Sequence, residues 1–170
     1  VLTHQLRGAL GADQDARVVF VTSGGMYTTG LRLDDPEYTH GAYAGTRAYA
    51  RTKRMQVHLA EAWGHELAVE RVSVHSTHPG WAGTPGLDGS LPGFSRVLRP
   101  LLRTAVSGAD TTVWLLSAPQ AREATGLLWH DRVPRPTTYL ARTAPTEAEV
   151  RGLWDLCVRT TGLPPVSRDL

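Results

Sequence analysis

Tyr49 and Lys53 stand four residues apart in Ala48-Tyr49-Ala50-Arg51-Thr52-Lys53-Arg54-Met55, and Lys53 is the only lysine in the 170-residue chain. The other 17 basic side chains are arginines. Four residues make about one helical turn, so a helix here sets phenol and ammonium on one face. A neighbouring ammonium favours the phenolate and suits a tyrosine to general acid/base work. Arginine would bring the same charge as a broad planar fork rather than a compact three-donor group. Tyr43 has a residue four further on as well, but that residue is Arg47, so Tyr49 is the preferred acid/base.

Two further stretches carry groups of chemical interest. Arg17-Val18-Val19-Phe20-Val21-Thr22 is a continuous β-branched and apolar run that ends in Ser23-Gly24-Gly25. Such a run predicts a parallel strand buried on both faces, with Ser23 where open α/β sheets bind ligands. Val69 to His75 alternates and predicts a second strand from about Ala68, followed by the turn-rich His78-Pro79-Gly80-Trp81-Ala82-Gly83-Thr84-Pro85.

The intervening elements must position these groups. Leu2, Leu6 and Leu10 lie on one face of an opening helix. Residues 26–46 read as a long loop, of a length that usually serves function. Residues 42–66 predict a long helix with Ala48, Met55, Leu59 and Ala62 or Trp63 as its apolar stripe. A short helix is expected from Phe94, another over Thr111 to Ser117, and a third strand over 125–130. Residues 131–144 read as loop. Thr146 and Glu149 form a capping box for a last helix to about Arg159. Strands alternating with helices mean an α/β fold with a parallel sheet. Three strands are few for a complete doubly wound domain, and no cap precedes Val1, so the sequence reads as part of something longer.

Composition narrows the function classes. The chain is 41% hydrophobic, with formal net charge +2 and pI near 9.0. Its arginines are dispersed, which gives no support for nucleic-acid binding. No apolar run approaches the length of a membrane span, and no secretory signal is visible. The single cysteine, Cys157, excludes an internal disulfide and suits a reducing compartment. A cytoplasmic protein without membrane or nucleic-acid partners is the expectation. A serine hydrolase is disfavoured because Val21 stands where a nucleophile elbow needs glycine. His75 with His78, and His58 with His65, lack a carboxylate cluster, so no metal is expected and these histidines read as surface or satisfied loop residues. The five tryptophans read as core, with Trp81 a candidate pocket residue.

Taken together, the Val-Thr-Ser-Gly-Gly strand end, Tyr49-x-x-x-Lys53 and His78-Pro79-Gly80-Trp81 with Thr84 resemble the C-terminal half of the short-chain dehydrogenase/reductases. Ser-Gly-Gly-Met, Tyr-Ala-x-x-Lys-Arg-x-Gln and His-Pro-Gly-Trp-Ala-x-Thr-Pro-Gly resemble the member 12 subgroup of that family, over roughly residues 1–135. The resemblance implies the C-terminal part of a Rossmann-type doubly wound parallel sheet, without its N-terminal strands. Residues 1–160 would be that single-domain portion and 161–170 a disordered tail. It implies an NAD- or NADP-dependent oxidoreductase interconverting a small-molecule carbonyl and an alcohol. Ser23 would hydrogen-bond the reacting oxygen, Tyr49 would be the acid/base, and Lys53 would hold the nicotinamide ribose. Pro79, Gly80 and Thr84 would bind the cofactor alongside Tyr49 and Lys53. A homodimer would pack through the 42–66 helix. The chain departs from the family in having no glycine-rich cofactor fingerprint and no asparagine. Those departures keep a second expectation open, a non-catalytic fragment or remnant that binds no dinucleotide alone.

Overall fold

The computed structural model describes residues 1–12, 15–82 and 102–163. Among these residues there are five α-helices and one four-stranded sheet. Short helices α1 (Leu2–Gln5) and α2 (Arg7–Ala12) precede strand β1 (Arg17–Val21). A 3-10 turn over Gly24–Thr28 and an irregular segment lead into α3 (Gly45–Glu66), which returns the chain to β2 (Ser73–Thr77). Next come α4 (Ala105–Ser117), β3 (Leu128–His130), β4 (Val133–Arg135) and α5 (Glu147–Thr161).

The sheet order is β1-β2-β3-β4. The first three strands are parallel, with Arg17 opposite Ser73 and Ser76 opposite Leu128, and β4 folds back antiparallel on β3. Alternation of side chains divides the packing between the two faces. Val18 and Phe20 meet Trp63, Leu67, Val74 and Trp154 on the α3/α5 side, whereas Val19 meets Leu115 and Trp129 on the α4 side. The result is three layers, with Trp63 and Trp154 packed edge to face at 5.0 Å. β1 lies at the edge. An apolar cleft of about 430 Å³ runs along it, lined by Val18, Phe20, Leu59, Trp154 and Val158 among others.

The α/β architecture and parallel sheet agree with the expectation, and several local readings are corrected. β1 is an edge strand, half-buried with Val21 exposed, rather than buried on both faces. The opening segment is two short helices with no buried residue, and of its three leucines Leu10 packs against the Trp63–Trp154 cluster while Leu2 and Leu6 stay exposed. β2 begins at Ser73, not Ala68: residues Ala68–Glu70 form a 3-10 turn and Arg71 takes a left-handed φ of 59°. The buried line of α3 runs through Ala50, Arg54, Val57 and His58 and then Ala62 and Trp63, displaced from the expected stripe. β4 was expected as loop; Asp131 and Arg132 both adopt positive φ, the geometry of a two-residue hairpin turn. α4 starts earlier than read, capped by the Thr104 hydroxyl. The expected helix from Phe94 and the tail beyond residue 163 lie outside the described residues.

Candidate active site

The carboxyl ends of β1 and β2 place the chemistry-bearing residues side by side. Thr22 extends β1 by donating its N–H to Thr77 O at 2.7 Å. Its hydroxyl donates to Lys53 O at 2.8 Å, and the Lys53 ammonium donates to Val21 O at 2.9 Å. These two bonds run in opposite directions and lock the strand end to the third turn of α3. Lys53 also donates to Gln56 Oε1 at 3.1 Å, so among the described residues one of its three N–H donors has no acceptor. Burial pushes the Lys53 ammonium below its ordinary pKa. The Tyr49 ring lies 5.5 Å from Lys53 Nζ, within cation–π range. It is 52% exposed, and its hydroxyl makes no hydrogen bond among the described residues.

Ser23 follows Thr22 in extended conformation and caps the 3-10 turn, its Oγ accepting from Gly25 N at 3.2 Å. That bond uses an oxygen lone pair, so the hydroxyl hydrogen is left to donate elsewhere. No hydrogen bond joins Ser23 to Tyr49. Lys53 is therefore tied to the end of β1 and lies against the Tyr49 ring, whereas Ser23 is held by its own turn.

At the end of β2 the chain turns through Pro79 and Gly80. Gly80 has φ +72°, and a Cβ there would stand 3.1 Å from His130 Cε1 and 3.2 Å from Arg103 Nε. The positive φ and these close side chains both favour glycine here. Ala82 bridges Arg103 in parallel, and Arg103 N donates to Trp81 O at 2.8 Å. Arg103 also forks onto Asp131, holding that carboxyl down to about 2. Thr84 lies outside the described residues.

Four buried residues in and around these elements carry more structure than their types announced. Arg54, next to Lys53, is wholly buried: it donates to Thr137 O, to Thr138 Oγ1 at 2.7 Å and to Thr143 O at 2.8 Å, and it touches Met26 Sδ at 3.3 Å. It fastens α3 to the chain after β4 and to the turn after Ser23. His78, expected at the surface or in a satisfied loop, is only 8% exposed. It stacks on His130 at 4.0 Å, and its Nδ1 has no hydrogen-bond partner. Burial first, then the neighbouring His130, push its pKa down to about 4. His75 is buried within β2, where Trp129 Nε1 donates to its Nδ1 at 3.1 Å. Indole can only donate, so His75 Nδ1 must accept and Nε2–H must donate to Ala121 O. His58, also buried, meets Glu61 Oε2 at 2.6 Å. Lys53-Arg54 and His-Pro-Gly were the visible signals for the first two; no pattern marked the burial itself.

A parallel sheet whose carboxyl edge gathers Ser23, Tyr49-x-x-x-Lys53 and a Pro-Gly turn agrees with what sequence relatives show: the chain belongs to the short-chain dehydrogenase/reductase family. It is 42% identical over 158 residues to "Dehydrogenase/reductase SDR family member 12" of Bos taurus, and 39% identical over 155 residues to the Homo sapiens protein of that name. These alignments take in 92% and 88% of this chain but 49% and 48% of the relatives. The chain thus spans about half the length of the curated relatives it matches. "Retinol dehydrogenase 14" of Homo sapiens is 28% identical over 171 residues. A solved "short chain dehydrogenase/reductase family protein" shares the fold with TM-score 0.53 and 23% identity, over 75% of this chain and 48% of that one. No protein-family model matches. Among the described residues no helix is long and apolar enough to cross a membrane, and no cluster of three or more His, Cys, Asp or Glu could hold a metal.

Proposed function

We propose that this chain is the proton-transfer half of an NAD(P)-dependent oxidoreductase that interconverts a carbonyl and an alcohol. The observation that carries the reading is the pairing of a half-exposed, unbonded Tyr49 hydroxyl with Lys53, whose ammonium is fixed by the end of β1. A bound nicotinamide supplies the hydride chemistry. The spare N–H of Lys53 fits a ribose hydroxyl. Tyr49 holds the proton at Oη and gives it to the substrate oxygen in reduction, or takes it in oxidation. Ser23 steadies that oxygen with its free O–H. Pro79, Gly80 and Thr84 complete the nicotinamide side, with Gly80 also suiting the packing described above. NAD and NADP serve this reading equally.

In any preparation with measurable NAD(P)H-linked carbonyl reduction, Tyr49→Phe is expected to lower kcat at least about 100-fold, the usual contribution of a positioned acid. Cofactor affinity should hardly change. Unchanged turnover removes Tyr49 from the chemistry.

A second reading has its own support. The 170 residues contain no glycine-rich phosphate cradle, and β1 stands at the sheet edge. On this reading the chain alone is a non-catalytic remnant. Calorimetric titration with NADH and NADPH separates the two, since micromolar binding excludes the remnant. Pairing of two copies through the exposed face of α3 belongs to the first reading and is read by sedimentation.

A further inference from the structure

We propose that Thr28, Thr29, Arg32, Thr46, Arg47 and Arg51 form a recognition site for an oxyanion, a carboxylate or phosphate, borne by the substrate. These residues line one cavity of about 470 Å³. Assigning the anion to the substrate rests on the oxidoreductase reading above; the anion site itself does not.

Three guanidiniums and three hydroxyls line the cavity, and no carboxylate does. The nearby acids are already engaged. Arg32 is forked onto Asp34, at 2.9 and 2.6 Å. Asp35 accepts from Thr39 N at 2.7 Å, Thr39 Oγ1 at 2.9 Å and His40 N at 3.2 Å. Its Oδ2 is 4.0 Å from Arg51 Nη1, too far for a hydrogen bond. Arg51 Nη1 is buried and, beyond the 4.0 Å ion pair with Asp35, has no hydrogen-bond partner among the described residues; the side chain is 14% exposed. The guanidinium lies 4.4 Å from the Tyr38 ring centroid, which holds its plane in place before any ligand arrives. A buried guanidinium with an unmatched donor is costly, and an oxyanion is the acceptor its fork fits. Arg47 makes no ion pair among the described residues.

The start of α3 adds to this. Ala44 gives no side-chain cap and the first turn holds no acidic residue, so the N–H groups of a 22-residue helix open beside Thr46 and Arg47. The cavity joins the chain leaving Ser23 to the helix carrying Tyr49.

Titration of the chain with inorganic phosphate and, separately, acetate, followed by the Nε–Hε resonances of Arg47 and Arg51, tests the site without turnover. A saturable shift with either anion is expected, and Arg47→Gln should weaken it at least about ten-fold, the scale of one lost charged fork. Arg47 is exposed, so the fold should survive; Arg159→Gln on α5 should bind as the parent does. No saturation with either anion, or equal binding by Arg47→Gln, overturns the site. Tyr49→Phe should leave the titration unchanged, so failure of the catalytic reading would not be mistaken for failure of this one. In an active preparation, the preference for a keto acid over the same ketone lacking its carboxylate, read as the ratio of kcat/KM values, should fall about ten-fold in Arg47→Gln. A preference that survives overturns the assignment to the substrate.

Discussion

Among single residues, His78 has the clearest measurable consequence. Its imidazole is neutral in the fold because burial and His130 hold its pKa near 4, against an ordinary value of 6.5. Unfolded, it takes up a proton near 6.5; folded, it resists until about 4. Between these values the unfolded chain carries the extra proton, so stability is fully present above pH 6.5 and falls as pH drops toward 4. The loss amounts to roughly 3 kcal/mol at about 1.4 kcal/mol per unit. His75 is lowered by burial as well and adds in the same direction. Urea midpoints at pH 7 and 4.5 should show this slope, and His78→Phe, which keeps ring contacts with His130 and Tyr27, should flatten much of it. An unaltered slope in that variant would assign the effect elsewhere. Arg54 makes a related point about reading residues. Nothing in Lys53-Arg54 says which base is buried, since both fit a helix equally well. The decision comes from the Thr137, Thr138 and Thr143 acceptors more than 80 positions away.

At the scale of elements, local rules located the helices better than the strands. The Thr146–Glu149 capping box is present in full, because its bonds close within four residues. β2 was misplaced because alternation in Val69–Val72 also suits a 3-10 turn, and only Arg71 in the left-handed region breaks the strand. β4 escaped notice because Val133-Pro134-Arg135 is short, with proline on an edge strand, and its turn lacks glycine. The junction of α3 with the entry to β3 provides an element-level test. A Cβ on Gly64 would stand 2.8 Å from Gly126 N and 2.9 Å from Gly126 Cα, both backbone atoms. Gly64→Ala should therefore destabilise by about 2 kcal/mol despite its gain in helix propensity. Thr146→Ala should cost about 1 kcal/mol by losing its cap. Denaturant titration ranks the two, and a Gly64→Ala protein as stable as the parent would mean that the helix can move away from β3.

Over the whole molecule, the α/β layering was legible because strands alternating with helices imply a parallel sheet whose carboxyl ends share one edge. The oxyanion cavity was not, since its arginines look like ordinary surface charge until Tyr38 and Asp35 are seen around them. The unequal protection of the sheet was only partly legible. Thr22 N bonds to β2, so by alternation Val18 and Phe20 face the same way while the N–H groups of Val19 and Val21 face the open side. Amide exchange should be fast at Val19 and Val21 and slow at Phe20 and throughout β2. Equal protection of Val19 and Phe20 in dilute solution would mean that the edge is covered, with the adjoining apolar cleft its natural companion surface.

The bond from Trp129 to His75 equips the sheet with an optical pH indicator. Protonation of His75 turns its Nδ1 from acceptor to donor and sets it against the indole N–H. Trp129 emission should therefore change in intensity and wavelength when His75 titrates, while the Trp63–Trp154 pair on the other face stays constant. Trp129→Phe would silence the transition, and a transition that persisted would trace it to a different tryptophan.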